Sequence, residues 1–192
     1  MPLSEFTVRL TAIAEDQYTR FHLYGEGDPE LCGQIKHYWS DLGFPPQSCT
    51  AVPWSAVFIS WCVKLAGASS GEFKFASAHS KFVHAAIKNA SNNTGVFRGF
   101  PIDIYKPQIG DIIQNNRNGN NFDFEFAKEH DSYESHSAIV IEVGQDNRGH
   151  YALTTGGNES NSVRQSIVRL DENGFIRQRP NSPYISIIQN LK

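Results

Sequence analysis

The fold is decided by one stretch of the sequence, PWSAVFISWCVKLAG, which runs from Pro53 to Gly67. Proline is favoured in the first turn of a helix, where its missing N–H costs nothing, and glycine is favoured just past a helix end. The residues between them are almost all apolar, which predicts a helix that is buried on most sides. We therefore expect this helix to form the centre of the core.

Ser55 is the polar exception in the first turn of this helix. Its hydroxyl is expected to lie among backbone N–H groups that lack acceptors, at the positive end of the helix dipole. That position stabilises a developing anion, so Ser55 is a candidate nucleophile. The alternative interpretation is that the hydroxyl only caps or back-bonds within the turn.

Helical patterns fill the first half of the chain and strand patterns fill the second. Apolar residues recur at helical spacing over about residues 4–22, 29–42 and 77–90. Alternating or β-branched runs predict strands at about residues 136–143, 150–155, 163–170 and 184–188. Residues 122–133 are aromatic and acidic, and we expect them to be irregular. The order predicts one α+β domain over 1–192, with a helical part at about 1–90 and an antiparallel sheet at about 97–190.

Composition limits the possible partners. The 192 residues carry a net charge of −3, which gives no electrostatic reason to expect a nucleic acid or an anionic membrane as partner. No segment approaches the roughly 18 apolar residues of a membrane span. The N-terminus has no basic region followed by an apolar run, so we expect a chain made in the cytoplasm without a signal peptide. Action outside the cell would then require a non-classical export route to the periplasm of target cells.

The three cysteines, Cys32, Cys49 and Cys62, are too few and too irregularly spaced to predict a disulfide scaffold or a zinc cluster. Cys62 falls on the buried helix and is expected to be a core residue. Cys49 lies in a predicted loop shortly before Ser55, and it is a candidate substitute nucleophile. The seven histidines form no recognisable ligand pair, and the sequence contains no phosphate-binding loop, so neither a metal nor a cofactor is expected.

Two further polar residues could complete a site for acyl transfer with Ser55. His136 opens the first strand of a predicted hairpin, and Asn158 follows the second strand. Hairpin pairing would return the end of the second strand to the start of the first and bring Asn158 near His136. An amide oxygen accepting from one ring nitrogen would leave the other free to act as a base. The alternative is a half-buried histidine at a strand end and an asparagine in a turn.

Four motifs together resemble the NlpC-like and CHAP-like branch of papain-like peptidases. The motifs are Pro53-Trp54-Ser55-Ala56-Val57-Phe58, Gly110-Asp111-Ile112, His136-Ser137-Ala138-Ile139-Val140 and Gly156-Gly157-Asn158-Glu159-Ser160-Asn161-Ser162-Val163. The resemblance spans roughly residues 30–165, and the Gly-Gly-Asn block is its most specific part. Ile35-x-x-Tyr38-Trp39 and Ala78-His79 resemble an uncharacterised relative whose members often carry Pro-Trp-Ser-Ala.

The resemblance implies a papain-like fold and cleavage of amide bonds in the peptides of peptidoglycan. It implies catalysis by a cysteine, a histidine and a third polar residue, which correspond here to Ser55, His136 and Asn158. Trp54, His79 and Asp111 lie in the same motifs and are candidate substrate contacts. His79 is also a candidate base, or simply a residue on a helix surface.

Serine at the position of the family's cysteine leaves three interpretations open. Ser55 is a true serine nucleophile, it marks a domain that binds without cleaving, or it is an engineered replacement of cysteine. A serine hydroxyl is not ionised in the ground state and needs a base during attack, whereas a thiol can be drawn down to a thiolate.

Three functions are open at this point, separate from the question of how Ser55 arose. The first is a peptidoglycan amidase or endopeptidase, as an antibacterial effector with an immunity partner or as a phage-type lysin. The second is an inactive module that binds the cell wall. The third is an acyl hydrolase that uses the serine on esters.

Overall fold

Helices precede the sheet along the chain, in the order that the sequence predicts. The computed structural model describes residues 2–192. The helices of the first half are α1 (Glu5–Phe21), α2 (Pro29–Asp41), α3 (Ser55–Leu65) and α4 (His79–Ser91). The strands are β1 (Phe97–Phe100), β2 (Ile112–Asn116), β3 (Ser135–Asp146), β4 (Gly149–Glu159), β5 (Ser162–Arg169) and β6 (Tyr184–Asn190). The predicted α+β class is therefore confirmed.

The strands form one antiparallel sheet in the order β1-β6-β2-β3-β4-β5. The predicted hairpin is present, with Asp146 opposite Gly149 at its turn and Ile139 opposite Thr155 towards its other end. The end of β4 therefore returns to the start of β3, as the sequence predicts. The segment expected to be irregular contains a short helix, α5 (Phe124–Glu129), which Asp123 caps by accepting from the N–H of Phe126 at 2.8 Å.

Helix α3 lies at the centre of the core. Every residue from Ser55 to Val63 is buried. Burial of each large apolar side chain contributes about 1.5–3 kcal/mol, whereas a side-chain cap contributes about 1 kcal/mol. The packing of α3 therefore outweighs a missing cap, and the N-cap residue, Trp54, makes no side-chain cap hydrogen bond.

Two adjacent glycines allow β4 to approach α3 closely. A Cβ atom on Gly157 would lie 2.7 Å from the Cβ of Phe58 and from the ring of Trp54. A Cβ atom on Gly156 would collide with the carboxylate of Glu159 and lie 3.1 Å from Nε2 of His136. Gly157 therefore lets the strand pack against α3, and Gly156 leaves room for the side chains of His136 and Glu159.

A disulfide joins Cys32 to Cys49, across 17 positions of the chain. It ties α2 to the loop that leads into α3. The prediction that Cys49 could serve as a nucleophile is therefore wrong, because its sulfur is already bonded. Cys62 is free and buried, as expected of a core residue, and burial raises the pKa of its thiol.

Candidate functional site

The starts of two helices meet at Ser55. This serine is the first residue of α3, and His79 is the first residue of α4. Ser55 Oγ lies 2.7 Å from Nε2 of His79. Both side chains are buried, with 1% of Ser55 and 5% of His79 exposed. The histidine that reaches the candidate nucleophile is thus His79, which the sequence suggested as a base or substrate contact, and not His136.

His79 is held neutral by its surroundings. Burial lowers the pKa of its imidazole well below the usual value of 6.5, and the nearby His136 and Arg117 lower it further. A neutral imidazole carries its proton on one nitrogen only. With that proton on Nδ1, Nε2 accepts the hydrogen bond of the Ser55 hydroxyl, which is the arrangement that a general base requires. Nδ1 itself is buried and has no partner among residues 2–192.

Backbone N–H groups without helical acceptors lie at the start of α3, where Ser55 stands. The first hydrogen bond within α3 runs from the N–H of Phe58 to the carbonyl of Trp54, at 3.0 Å. The N–H groups of the preceding residues, from Ser55 to Val57, therefore have no acceptor within the helix. They point towards the positive end of the dipole, where they can stabilise an oxyanion that forms next to Ser55.

A cavity of about 200 Å³ opens at this pair. Its walls come from the loop before α3, the start of α4 and the connection between β2 and β3. The lining residues are Pro53, Ser55, Ala56, Ser77, Ala78, His79, Arg117, Asn118, Tyr133, Glu134 and Ser135. The cavity is therefore large enough for a short peptide segment or an acyl group beside the hydroxyl.

His136 lies next to His79 but is bonded to a different residue. The two imidazole ring centroids are 5.4 Å apart. His136 Nε2 donates to Oε1 of Glu159 at 2.9 Å, and Ser166 Oγ donates to the other carboxylate oxygen at 2.8 Å. This leaves Nδ1 as the nitrogen of His136 that can accept a proton. The His136–Glu159 pair lines a second cavity, of about 110 Å³.

Asn158 does not contact His136, contrary to the sequence-based expectation. Its Nδ2 donates to Oε2 of Glu26 at 2.7 Å, and the indole N–H of Trp54 donates to the same oxygen at 3.0 Å. The pairing of β4 with β5 shifts between Gly156 and Glu159, and Asn158 has a φ of 56°. The shift turns Glu159 towards His136 in place of Asn158. Trp54 is fully buried, so its indole is a support for the helix start and not a surface for substrate.

Asp111, a candidate substrate contact from the sequence, does not line the cavity at Ser55. It is 1% exposed and precedes β2, whereas the end of β2 pairs with the start of β3 near His136. Its carboxylate accepts from the backbone N–H groups of Gln108 and Asn190, at 2.7 and 2.8 Å. Burial raises the pKa of Asp111 to about 7. These contacts tie β6 to the turn before β2, which is a structural role.

Glu26, Arg117 and Glu159 stand in no motif role or spacing that marks them as site residues in the sequence. Glu159 directly follows Asn158, so the alternation of side chains along a strand could have suggested it as the partner of His136. Glu26 and Arg117 lie in a turn and a polar loop, where residue type alone gives no signal. Only the folded structure shows that Glu26 and Arg117 lie near the start of α3.

A family model with the description "Uncharacterized protein conserved in bacteria (DUF2272)" matches residues 25–187. The chain belongs to this family. The matched region includes Ser55, His79, His136 and Glu159, so the candidate site lies within the family domain. The chain matches no curated protein and no solved structure at a significant level.

The described residues of this DUF2272 chain contain neither a metal-binding cluster nor a membrane-spanning helix. In residues 2–192, no group of three or more His, Cys, Asp or Glu side chains is placed to hold a metal ion. Over the same range, no helix combines the length and the apolar character needed to cross a bilayer.

Proposed function

We propose that this DUF2272 protein is a serine hydrolase that cleaves amide bonds in the peptides of peptidoglycan. Ser55 is the nucleophile and His79 is the general base. The observation that carries the proposal is the 2.7 Å contact between Ser55 Oγ and Nε2 of a neutral, buried histidine at a helix start. A nucleophile bonded to a base, beside free backbone donors, is the arrangement used for acyl transfer.

The reaction follows from this geometry in two steps. As Oγ of Ser55 attacks the carbonyl carbon, its proton passes to Nε2 of His79, and the N–H groups at the start of α3 stabilise the oxyanion. The C–N bond then breaks, and the same proton goes from Nε2 to the leaving amine. In the second step Nε2 of His79 takes a proton from water, which attacks the carbonyl carbon of the acyl-serine ester. The bond between that carbon and Oγ then breaks, Nε2 returns the proton to Oγ of Ser55, and the carboxylic acid is released.

The substrate class is proposed from the resemblance to NlpC-like and CHAP-like hydrolases. The disulfide between Cys32 and Cys49 supports action in an oxidising compartment such as the periplasm, because structural disulfides are rare in the reducing cytosol. Delivery to target cells as an antibacterial effector, with an immunity protein that covers the cavity at Ser55, is part of the same proposal. The proposed compartment and the proposed delivery route do not depend on the chemistry at Ser55.

A second candidate function is a module that binds cell-wall peptides without cleaving them. One observation favours it: Nδ1 of His79 has no partner among residues 2–192, so no carboxylate or carbonyl there stabilises the imidazolium that forms during attack. Such a partner usually orients the base and supports its charge. Serine in place of cysteine is also consistent with binding after loss of the thiol.

Purified peptidoglycan fragments would test the two functions directly. New amino groups released from soluble stem peptides are expected with the wild-type protein and not with Ser55→Ala. Ser55→Cys serves as the matched variant, because a thiol beside a histidine needs less help from a base. Saturable binding of the fragments without release of amines by either the wild type or Ser55→Cys would contradict the hydrolase and support the binding module.

A further inference from the structure

An unpaired guanidinium lies beside Ser55 and His79. Arg117 follows β2 directly and lines the same cavity of about 200 Å³. Its side chain forms no hydrogen bond or ion pair with any other residue in the described part of the chain, 2–192. Arg117 is only half-exposed, and it lies close enough to His79 to lower the pKa of that imidazole.

The other arginines differ from Arg117 in one of two ways. Most donate to a carboxylate or a carbonyl; the bonded set is Arg9, Arg20, Arg98, Arg169 and Arg179. The remaining set, which has no side-chain partner within residues 2–192, is exposed to solvent: Arg148, Arg164 and Arg177. Within residues 2–192, Arg117 is the one arginine that is both partly buried in a cavity and without an acceptor.

The charges around Arg117 leave it available for an anion. Glu134 lines the same cavity, but its Oε2 accepts from the amide of Asn118 at 3.1 Å and forms no ion pair with Arg117. His79 is neutral, and the other lining residues carry no charge. A partly desolvated cation without a counterion favours a ligand that supplies a negative group.

We infer that Arg117 binds a carboxylate of the substrate, so that the site selects acidic peptides over neutral ones. A guanidinium binds a carboxylate through two parallel hydrogen bonds, which fixes the position of the ligand as well as its charge. The inference rests on the proposed function, because it takes the cavity at Ser55 as the substrate site. Stem peptides carry free carboxylates on their side chains and at their C-terminus, so they belong to the class that this site would select.

Binding to an inactive variant tests the inference without turnover. The Ser55→Ala protein is titrated by calorimetry with a soluble stem tetrapeptide, and with the same peptide after its carboxylates are converted to carboxamides. We expect the acidic peptide to bind about tenfold or more tightly, as is typical of a charge-assisted hydrogen-bonded pair. Adding Arg117→Gln should remove this preference by weakening only the acidic peptide, and Arg117→Lys should retain part of it.

The matched control is Arg164→Gln, which removes an exposed arginine on β5 and should leave the preference unchanged. Equal affinity of Ser55→Ala for both peptides, or a preference that survives Arg117→Gln, would overturn the inference. Arg117→Gln must also melt within a few degrees of its parent, and Arg117→Met, which likewise removes the charge, replaces it if it does not. If Ser55→Ala prefers the acidic peptide and Arg117→Gln removes that preference, while the wild-type protein releases no amines, the hydrolase is refuted and the carboxylate site stands.

Discussion

His79 Nε2 lies 2.7 Å from Oγ of Ser55, and each residue is the first of its helix. Two helix starts therefore converge on one hydroxyl. Backbone N–H groups at both starts lack intrahelical acceptors, so the local field favours an anion and disfavours a protonated imidazole. Burial, with smaller effects of His136 and Arg117, lowers the pKa of His79 and keeps the base neutral in the resting protein. The free N–H groups at the helix starts add to this by stabilising charge that develops on the substrate oxygen.

Replacement of His79 should remove activity more completely than replacement of His136. A general base contributes about 10²–10⁴-fold to the rate, so His79→Gln should lower kcat/KM for stem peptides by about that factor. His136→Gln keeps the contact between Ser55 and His79 and should lower kcat/KM less. The measurement is release of amines by both variants at matched protein concentration. Loss of activity in His136→Gln with activity retained in His79→Gln would show that His136 is the base.

Burial of a neutral His79 should make the protein less stable in acid. The pKa of this histidine is near 6.5 when unfolded and well below that value when folded, so the unfolded chain binds the additional proton. The stability that neutral His79 contributes to the folded state is fully present above about pH 6.5, and it is lost as the pH falls towards the folded pKa. When the pH is lowered from 7.5 to 5, the free energy of unfolding measured with urea should fall less for His79→Gln than for the wild type. His130→Gln, at an exposed position, is the control and should leave the loss unchanged.

The framework of the site follows from local sequence signals. The buried helix between Pro53 and Gly67 and the hairpin around Gly149 were both predictable, because proline, glycine and apolar periodicity act over a few residues. The structure confirms both elements. The position of Ser55 in the first turn of α3 follows from the same signals.

The partners within the site do not follow from such signals. His79 reaches Ser55 because α4 packs with its start beside that of α3, and a sequence pattern does not fix the orientation of one helix relative to another. Glu159 replaces Asn158 beside His136 because the register shifts after Gly156. A shift of one residue exchanges the two faces of a strand. The hairpin was therefore predicted correctly, but the side chain expected beside His136 was Asn158 and the one that lies there is Glu159.

Asp111 should produce a pH dependence of stability that opposes that of His79. Burial raises its pKa to about 7, so the folded protein keeps a proton that the unfolded chain, with a pKa near 3.8, releases. Its contribution is full below about pH 4 and is lost as the pH rises to about 7. Denaturation curves for Asp111→Asn between pH 4 and 7 should show less of this decline than the wild type. An unchanged pH slope in Asp111→Asn would contradict the assignment.

Glu26 should stabilise the start of α3 through the indole of Trp54. Its Oε2 accepts from Trp54 Nε1 at 3.0 Å and from Asn158 Nδ2 at 2.7 Å. Glu26→Ala leaves both donors without an acceptor, and a buried unsatisfied donor costs about 1–3 kcal/mol. We expect urea denaturation to show a loss of that size. Glu26→Gln, which can present one amide oxygen to the donors, should lose less; equal losses in both variants would mean that charge matters more than the hydrogen bonds.

Reduction of the disulfide should destabilise the region that leads into α3. Closing a loop of this length, 17 positions from Cys32 to Cys49, removes conformational entropy from the unfolded chain that is equivalent to about 3 kcal/mol. Dithiothreitol should therefore lower the free energy of unfolding of the wild type by about 3 kcal/mol. A Cys32→Ser/Cys49→Ser variant should have the lower stability from the outset and show no response to the reductant.

Cys62→Ala is the control that separates the effect of reducing the disulfide from any effect of the free thiol. Cys62 is free and buried in α3, so its replacement lowers stability by loss of packing but leaves the disulfide intact. This variant should respond to dithiothreitol as the wild type does. If the wild type and the double serine variant unfold at the same urea concentration without reductant, the disulfide does not contribute to stability.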